Sequence, residues 1–397
     1  MTKPPPLPGG QANYYKKMLS VLYLSFFWFV DSMIFVIPRR RRKRHILMMR
    51  IDQLGDYVLW RDAAERLVRY YHERGARVVL LANRAWAELA RLDLPCDDVW
   101  NIDPRRMKRD LFYRFRLLAK VRRARFEVIV HPALSRDALR GPLIARISGA
   151  AVKIAPKGDL AIQTSWQAAI TDRWYTQIVD LDEDARTELE RTASFMRRSG
   201  FPAFEACAPL LKTATGSPRP DAPENEYYIL APGAGWAGRQ WSVAGFAEIA
   251  ERLHAKTRWT GLVCGSPAER EIGKQLCARA KVPLRNFAGR TTLLNLVSLL
   301  RAARLLVGNE TGSIHLAAAL GVPSISIVGG GHFGRFLPYS VPPAKGAVPP
   351  RVVASKMACF GCNWQCIYPR RPNAPVPCIE RVEIDSVWEE VHAVLRR

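Results

Sequence analysis

Eight short runs of apolar and β-branched residues, separated by stretches with helical periodicity, constrain the fold most strongly. Runs that alternate with helices in this way are typical of βαβ units, so the chain is predicted to be an α/β protein with parallel sheets. The runs are HILMMRID (45–52), ARVVLLAN (76–83), FEVIVHPA (126–133), AVKIAP (151–156), YYILAPG (227–233), TGLVCGS (260–266), LLVGNE (305–310) and PSISIVGGG (323–331).

The eight runs fall into two groups of four. The segment 206–226 between the groups is rich in Pro, Ser, Thr and acidic residues, which is typical of a linker. We therefore predict two Rossmann-like domains, 45–205 and 227–355, that face each other across a cleft. Residues 1–44 precede them, and a Cys-rich segment with a C-terminal helix follows at 356–397. Ligands of open α/β sheets bind beyond the carboxyl ends of the strands, so functional residues are expected in those loops.

The N-terminal region combines an apolar stretch with a basic run. Residues 20–38 approach the roughly 20 residues needed to span a bilayer, but Asp31 lies near the middle of the stretch. The run RRRRKR (39–44) follows without a small-residue cleavage site, which argues against a signal peptide. We predict a membrane-associated helix held at the anionic cytoplasmic leaflet. A spanning helix and a helix buried in the protein are the alternatives.

The formal net charge of +24 indicates a polyanionic partner, which is nucleic acid, an anionic membrane or a phosphorylated substrate. The segment 105–125 alone carries ten Lys or Arg residues and one acid, Asp110. It also places Leu111, Phe115 and Leu118 on one helical face, a pattern suited to contact with the protein core or with lipid. An anionic membrane surface is therefore favoured over nucleic acid.

The segment VGNETGSIHLAAALG (307–321) is the most informative motif. It has the pattern of a strand, a tight turn and a helix, with Thr311 as the N-cap and Gly321 at the helix end. The backbone amides of Gly312 and Ser313 would lack partners at the helix start. Unpaired amides and the helix dipole both favour a bound phosphate group.

Five side chains in such loops are candidates for chemistry, and each has a plain structural alternative. Glu310 could accept hydrogen bonds from hydroxyls, and His315 could donate to a diphosphate, although a lone histidine more often packs in a core. Arg239 supplies a cation where a leaving diphosphate would need one. Glu269 could bind hydroxyls or cap a helix. Asp56, right after the first strand, could act as a general base or cap a helix.

The order of these motifs resembles glycosyltransferase family 9, which contains the ADP-heptose:lipopolysaccharide heptosyltransferases. The matching elements are Gly-Asp after the first strand, a Gly-Ala…Trp turn, a Gly-Ser-Pro-x-Glu turn and an acidic-Thr-Gly-x-x-His-x-Ala-Ala-Ala-x-Gly segment. The resemblance covers about residues 45–385. It implies the GT-B fold of two facing Rossmann-like domains and an inverting, metal-independent sugar transfer.

The resemblance also implies roles for single residues. Asp56 matches the catalytic base, and Arg136 lies where heptosyltransferases use basic residues for an acidic acceptor. Glu269 matches a nucleoside-binding glutamate. Arg239 and Glu310 stand where Lys and Asp are usual, so they leave the donor sugar open. Other matches to donor-site residues are Thr311, Gly312 and His315.

Four cysteines near the C terminus have the spacing of metal ligands. Cys359, Cys362, Cys366 and Cys378 form C-x2-C-x3-C-x11-C, close enough together to surround one ion as four thiolates. Structural zinc is the leading interpretation, with free thiols, a disulfide pair and an iron–sulfur cluster as alternatives. The other four cysteines are scattered singly, which fits a reducing cytoplasm.

Together these features predict an inverting glycosyltransferase that needs no cofactor for catalysis. Its donor would be a nucleotide-diphosphate sugar, favoured as ADP-heptose, and its acceptor a lipid-linked or lipopolysaccharide-core glycan at the cytoplasmic face of the bacterial inner membrane. A transferase of the same family that uses another nucleotide sugar for a different surface glycan is the second hypothesis. A basic nucleic-acid-binding protein is the hypothesis from another class, and it leaves the segment GNETGSIH unexplained.

Overall fold

The computed structural model describes residues 9–38, 44–212 and 223–396, so most of the basic run and part of the predicted linker lie outside the described residues. The α-helices are α1 (Gly9–Ser32), α2 (Leu54–His72), α3 (Ala87–Asp93), α4 (Arg106–Arg109), α5 (Leu111–Ala124), α6 (Gly141–Ser148), α7 (Ser165–Thr171), α8 (Glu188–Arg198), α9 (Val243–Thr257), α10 (Arg270–Arg279), α11 (Leu293–Ala302), α12 (Gly312–Ala319), α13 (Pro377–Glu380) and α14 (Ile384–Leu395). The strands are β1 (His45–Arg50), β2 (Arg77–Asn83), β3 (Asp98–Ile102), β4 (Val128–Val130), β5 (Val152–Pro156), β6 (Gln177–Val179), β7 (Tyr227–Ala231), β8 (Thr260–Val263), β9 (Leu284–Asn286), β10 (Leu305–Asn309), β11 (Ser324–Ile327) and β12 (Arg351–Val353).

The first sheet has six strands in the order β3-β2-β1-β4-β5-β6. Its central strands are buried apolar runs, as expected for parallel strands that are covered on both faces. Strand β1 pairs with β4 in parallel, with Leu47 opposite Ile129, and β5 and β6 continue the parallel ladder. This is the strand order of a dinucleotide-binding Rossmann fold.

The second sheet repeats that order as β12-β11-β10-β7-β8-β9, and all of its neighbouring strands are parallel. The strand order reverses between β7 and β10, where Leu230 lies opposite Val307. In such sheets a crevice opens at the reversal, beyond the carboxyl ends of the strands, and ligands bind there. The loops after β7 and β10 are therefore expected to form a ligand-binding site.

Helix α9 forms as the sequence predicts. The Ser242 hydroxyl accepts a hydrogen bond from the Gly245 amide at 3.0 Å and so caps the helix start. Phe246, Ile249 and Leu253 recur at helical spacing and are fully buried against the second sheet. Burial of each such side chain contributes about 1.5–3 kcal/mol.

The described residues form two compact units. The first contains the described parts of Met1–Ile51, Tyr71–Leu81 and Trp100–Val179, and the second those of Asp52–Tyr70, Ala82–Val99 and Asp180–Arg397. The part of α2 that contains Asp56 therefore belongs to the same compact unit as the second sheet. The domain bounds given above stay predictions.

Helix α1 packs within the first unit along one face. Leu24 and Phe27 are buried against Leu139, and Asp31 forms a buried two-pronged ion pair with Arg114. Asp31, whose charge would be unfavourable in a membrane span, thus has an ion-pair partner inside the protein. Within residues 9–38, 44–212 and 223–396, no helix has the length and apolar character needed to cross a membrane.

Candidate active site

Asn309, at the end of β10, holds the two loops at the strand reversal together. Its side-chain oxygen accepts a hydrogen bond from the Trp241 amide at 3.0 Å. Its amide nitrogen donates to the carbonyl oxygens of Pro232 and Gly233 at 2.7 and 3.3 Å. The side chain is completely buried, so these bonds fix the loop after β7 against β10. Asn309 was not among the predicted site residues.

The start of α12 presents two backbone amides. Thr311 is the N-cap residue, as predicted, but its hydroxyl is hydrogen-bonded to the Ser313 hydroxyl at 2.8 Å and makes no capping bond. The amides of Gly312 and Ser313 consequently have no hydrogen-bond partner within the described residues. Such amides at a helix N-terminus can bind an anion. The predicted end of the helix is confirmed by Gly321, with a φ of 74°.

Arg239 and Glu310 form a contact beside these amides. The Arg239 guanidinium donates to the Glu310 carbonyl oxygen at 2.8 Å and to its carboxylate at 3.4 Å. Burial raises the pKa of Glu310 to about 7, although the nearby Arg239 charge opposes the rise. Arg239, from the loop after β7, thus contacts the loop after β10, and that second loop contains a carboxyl group that can change protonation close to neutral pH.

His315 lies one turn into α12 and is buried. Its Nδ1 is hydrogen-bonded to the Tyr339 hydroxyl at 2.7 Å, and the two rings stack. Burial lowers the pKa of His315 to about 4, and the Arg239 charge acts in the same direction. The imidazole is therefore neutral at physiological pH. Tyr339 was not predicted as its partner.

Asp56 stands in the first turn of α2, next to a glycine that touches His315. A Cβ atom on Gly55 would lie 3.0 Å from the His315 ring, so only glycine allows this approach without a shift. One Asp56 carboxylate oxygen accepts from the Gln53 amide at 3.1 Å. The interpretation of Asp56 as a carboxylate that stabilises the helix start is thus confirmed, and the base role stays a prediction.

Glu269 closes a capping box at the turn after β8. Its carboxylate accepts from the Ser266 amide at 2.5 Å. A Cβ atom on Gly233 would lie 1.9 Å from the other carboxylate oxygen, so Glu269 fits against the loop after β7 only because glycine stands there. The capping interpretation is confirmed, and nucleoside binding by Glu269 stays a prediction.

The Cys-rich segment supplies a side chain to the site that the sequence analysis missed. The ring of Trp364 lies under the Arg239 guanidinium, 5.0 Å from its central carbon. A Cβ atom on Gly331 would come within 2.2 Å of the Trp364 ring, and the Asn363 amide donates to the Gly331 carbonyl at 3.0 Å. The run of three glycines at 329–331 could have indicated this contact, because glycines without side chains let an aromatic ring approach the backbone.

The four predicted metal ligands line one small pocket. All four are free thiols. Burial raises the pKa of Cys378, and the neighbouring thiols raise it further, whereas a hydrogen bond from the Gly330 amide lowers it. Among the residues that the structure describes, no group of three or more ligating side chains is arranged to hold a metal ion.

Arg136 lies apart from these residues, in the first unit. It is 2% exposed, and its guanidinium donates to the Pro156 carbonyl at 2.6 Å and to Asp172 at 2.7 Å. It also lies over the Tyr175 ring at 5.2 Å. These contacts hold the Arg136 guanidinium in place, and acceptor binding by Arg136 stays a prediction.

Comparisons with known proteins agree with this fold. The family model described as glycosyltransferase family 9 (heptosyltransferase) matches residues 114–345. Lipopolysaccharide heptosyltransferase 1 of Pseudomonas aeruginosa is 31% identical over 199 residues, which cover 43% of this chain and 54% of that protein. The alignments thus span about half or less of the curated relatives' length.

Two solved structures share the fold. The ADP-heptose lipopolysaccharide heptosyltransferase II of E. coli superposes with a TM-score of 0.65 at 18% identity, covering 89% of this chain and 98% of that one. The iron-containing dodecameric glycosyltransferase TibC of enterotoxigenic E. coli gives a TM-score of 0.54 at 14% identity, covering 90% and 78%. The two six-stranded parallel sheets are those of a GT-B-like fold. The chain belongs to glycosyltransferase family 9.

Proposed function

We propose that this protein is an inverting glycosyltransferase that moves a heptose from ADP-heptose to a lipid-linked or lipopolysaccharide-core acceptor at the cytoplasmic face of the bacterial inner membrane. The observation that carries the proposal is the group of Arg239, Glu310 and the free amides of Gly312 and Ser313 at the strand reversal of the second sheet. The matching relatives are named as lipopolysaccharide heptosyltransferases, which supports the choice of sugar and acceptor.

These donor-site groups suit the departure of a diphosphate. As the bond from the anomeric carbon to the diphosphate breaks, negative charge grows on the leaving oxygen. Arg239 and the two amides can stabilise that charge without moving, which is the usual source of large rate enhancements. Neutral His315 can offer a hydrogen bond through Nε2 while Nδ1 is held by Tyr339.

In the proposed transfer, the acceptor hydroxyl attacks the anomeric carbon from the face opposite the leaving diphosphate. Asp56 removes the hydroxyl proton as the new glycosidic bond forms. The placement of Asp56 supports this role, since the adjacent Gly55 touches His315 in the same compact unit.

The decisive experiment measures nucleoside diphosphate release and ADP binding for the full chain and for Asp56→Asn. We expect kcat to fall by about a hundredfold or more, with ADP affinity nearly unchanged. Asp184→Asn, at an exposed acidic position of the same unit, is the matched control. Undiminished turnover of Asp56→Asn would remove this residue from the base role.

The identity of the donor is tested separately. Arg239 and Glu310 differ from the residues usual in the family, so a different nucleotide sugar is the second candidate. Turnover with ADP-heptose, UDP-sugars and GDP-sugars is compared under the same conditions. A clear preference for a UDP- or GDP-sugar would replace the heptose proposal and leave the glycosyltransferase assignment in place.

We also propose that Cys359, Cys362, Cys366 and Cys378 bind one thiophilic metal ion, favoured as structural zinc. The four thiols line one cavity, and the other three help to raise the pKa of Cys378, so a cation among them would relieve the charge that opposes their ionisation. Rotation of the side chains is needed to bring the sulfurs into a ligand set. TibC is an iron-containing glycosyltransferase, which makes iron the second candidate. Such an ion would fix the segment around Trp364.

A further inference from the structure

Helix α1 and the short helix that follows it present an apolar stripe that no other described residue covers. Phe29, Met33 and Val36 are 75%, 63% and 86% exposed, and Leu22 and Phe26 extend the same stripe at helical spacing. The opposite side of α1 carries the buried residues Leu24, Phe27 and Asp31. A stripe this long and this exposed is unfavourable in water, so it requires a partner.

Contacts within the first unit hold this stripe outward. The Arg114 guanidinium, which is bound to Asp31, also donates to the Met107 and Leu139 carbonyls and lies 4.8 Å from the centre of the Phe27 ring. Rotation of α1 to bury the stripe would expose Asp31 and leave the Arg114 charge buried without its partner, which costs several kcal/mol. The exposed face is therefore built into the fold.

Helices α4 and α5 lie beside α1 and add both apolar and basic side chains. Tyr23 donates to the Lys108 carbonyl at 3.5 Å, which places α4 next to α1, and the Arg114–Asp31 ion pair does the same for the first turn of α5. Phe112 and Phe115 are 69% and 46% exposed there. Exposed cations surround them; in α4, α5 and the residue before α4 these are Arg105, Arg106, Lys108, Arg109, Arg116, Lys120 and Arg123.

We propose that α1, the helix Met33–Val36 and the start of α5 form a surface that docks in the plane of an anionic lipid bilayer. Exposed aromatic and aliphatic residues would enter the headgroup boundary while the cations contact lipid phosphates. A protein partner or a second copy of the chain would not require so dense a set of cations around the apolar stripe. The inference rests on the proposed function in one respect, because a lipid-linked acceptor is presented at the same bilayer.

The test is co-sedimentation of the full chain with vesicles of phosphatidylcholine, with and without phosphatidylglycerol. Phe29→Ser combined with Val36→Ser is expected to lower the partition coefficient by about tenfold or more, since two large apolar side chains are lost. Arg109→Gln and Arg116→Gln should each lower binding to the anionic vesicles by about fivefold, with little effect on phosphatidylcholine. Leu92→Ser, at a position 56% exposed in the second unit, is the control that should not change binding.

A second measurement does not depend on destabilising α1. In Val36→Trp, the added fluorescence should be quenched by brominated lipid, whereas that of Leu92→Trp should not. Equal binding of all variants, or no quenching at position 36, would overturn the proposal. So would a dimer that Phe29→Ser with Val36→Ser converts to monomer without loss of vesicle binding. Vesicle binding needs no sugar donor, so its failure and a failed transfer assay are distinguishable.

Discussion

Replacement of Glu310 by glutamine should make the second unit more stable, and the gain should appear only as the pH rises. The pKa of Glu310 is raised from 4.5 to about 7 by burial. Below pH 4.5 the carboxyl group is protonated in the folded and the unfolded chain, so its raised pKa does not lower the free energy of unfolding there. As the pH rises towards 7, the unfolded chain loses this proton before the folded chain does, and the free energy of unfolding falls.

The size of the effect follows from the shift. Each pKa unit corresponds to about 1.4 kcal/mol, so the difference between 4.5 and about 7 corresponds to about 3 kcal/mol of lost stability above neutral pH. Glu310→Gln is neutral at every pH and escapes this loss. His315 has the opposite dependence, since its lowered pKa of about 4 removes stability as the pH falls below 6.5. That contribution is present in both proteins and cancels in their difference.

The assay is urea unfolding, followed by tryptophan fluorescence, across a pH series from about 4.5 to about 8. The free energy of unfolding of Glu310→Gln minus that of the unsubstituted protein should increase by about 3 kcal/mol over this range. Glu389→Gln, at an exposed position of α14, is the control and should give a flat difference. A pH-independent difference for Glu310→Gln would refute the reasoning, even if the variant were more stable throughout.

Three further predictions concern other parts of the chain. Trp364→Leu should raise the KM for the donor by about tenfold with a smaller change in kcat, because Arg239 loses the aromatic ring beneath it. Trp364→Phe should restore most of the affinity. Equal kinetics of all three proteins would exclude a positioning role for Trp364. Arg114→Leu should lower the free energy of unfolding of the first unit by about 3–5 kcal/mol, because Asp31 stays buried without its partner. Urea unfolding measures this loss, and a loss below about 1 kcal/mol would contradict the prediction. Elemental analysis of the purified protein should find about one zinc or iron per chain, and Cys359→Ser should reduce it; a metal-free preparation would contradict the proposal.

The central strands could be predicted from the sequence because parallel strands buried on both faces are continuous apolar runs. All eight predicted runs correspond to strands β1, β2, β4, β5, β7, β8, β10 and β11. The four strands that were missed, β3, β6, β9 and β12, lie at the edges of the sheets, and three of them have only three residues. Leu284–Asn286, for example, is only partly buried and carries no apolar run.

The candidate site was predictable where a loop carries its own signal, and not where distant segments supply the partner. Glu310 and His315 are marked by a glycine-containing turn before a helix. Tyr339 reaches His315, and Trp364 reaches Arg239, from distant segments whose own sequences do not indicate these contacts. The length of a loop does not determine which distant side chain contacts it, because that contact is set by tertiary packing.

The two departures from the usual family residues have one physical explanation when the contacts of Arg239 are considered together. Its guanidinium reaches the carbonyl and carboxylate of Glu310 and also lies over the Trp364 ring. A lysine ammonium has neither the planar face nor the fork of donors for both contacts. Arg239 thus depends on the Cys-rich segment for its position. Arg239→Lys should therefore weaken donor binding in the native protein, and should weaken it much less in Trp364→Leu, where the support is already gone. Additive effects in that double-mutant cycle would show that the ring and the guanidinium act independently.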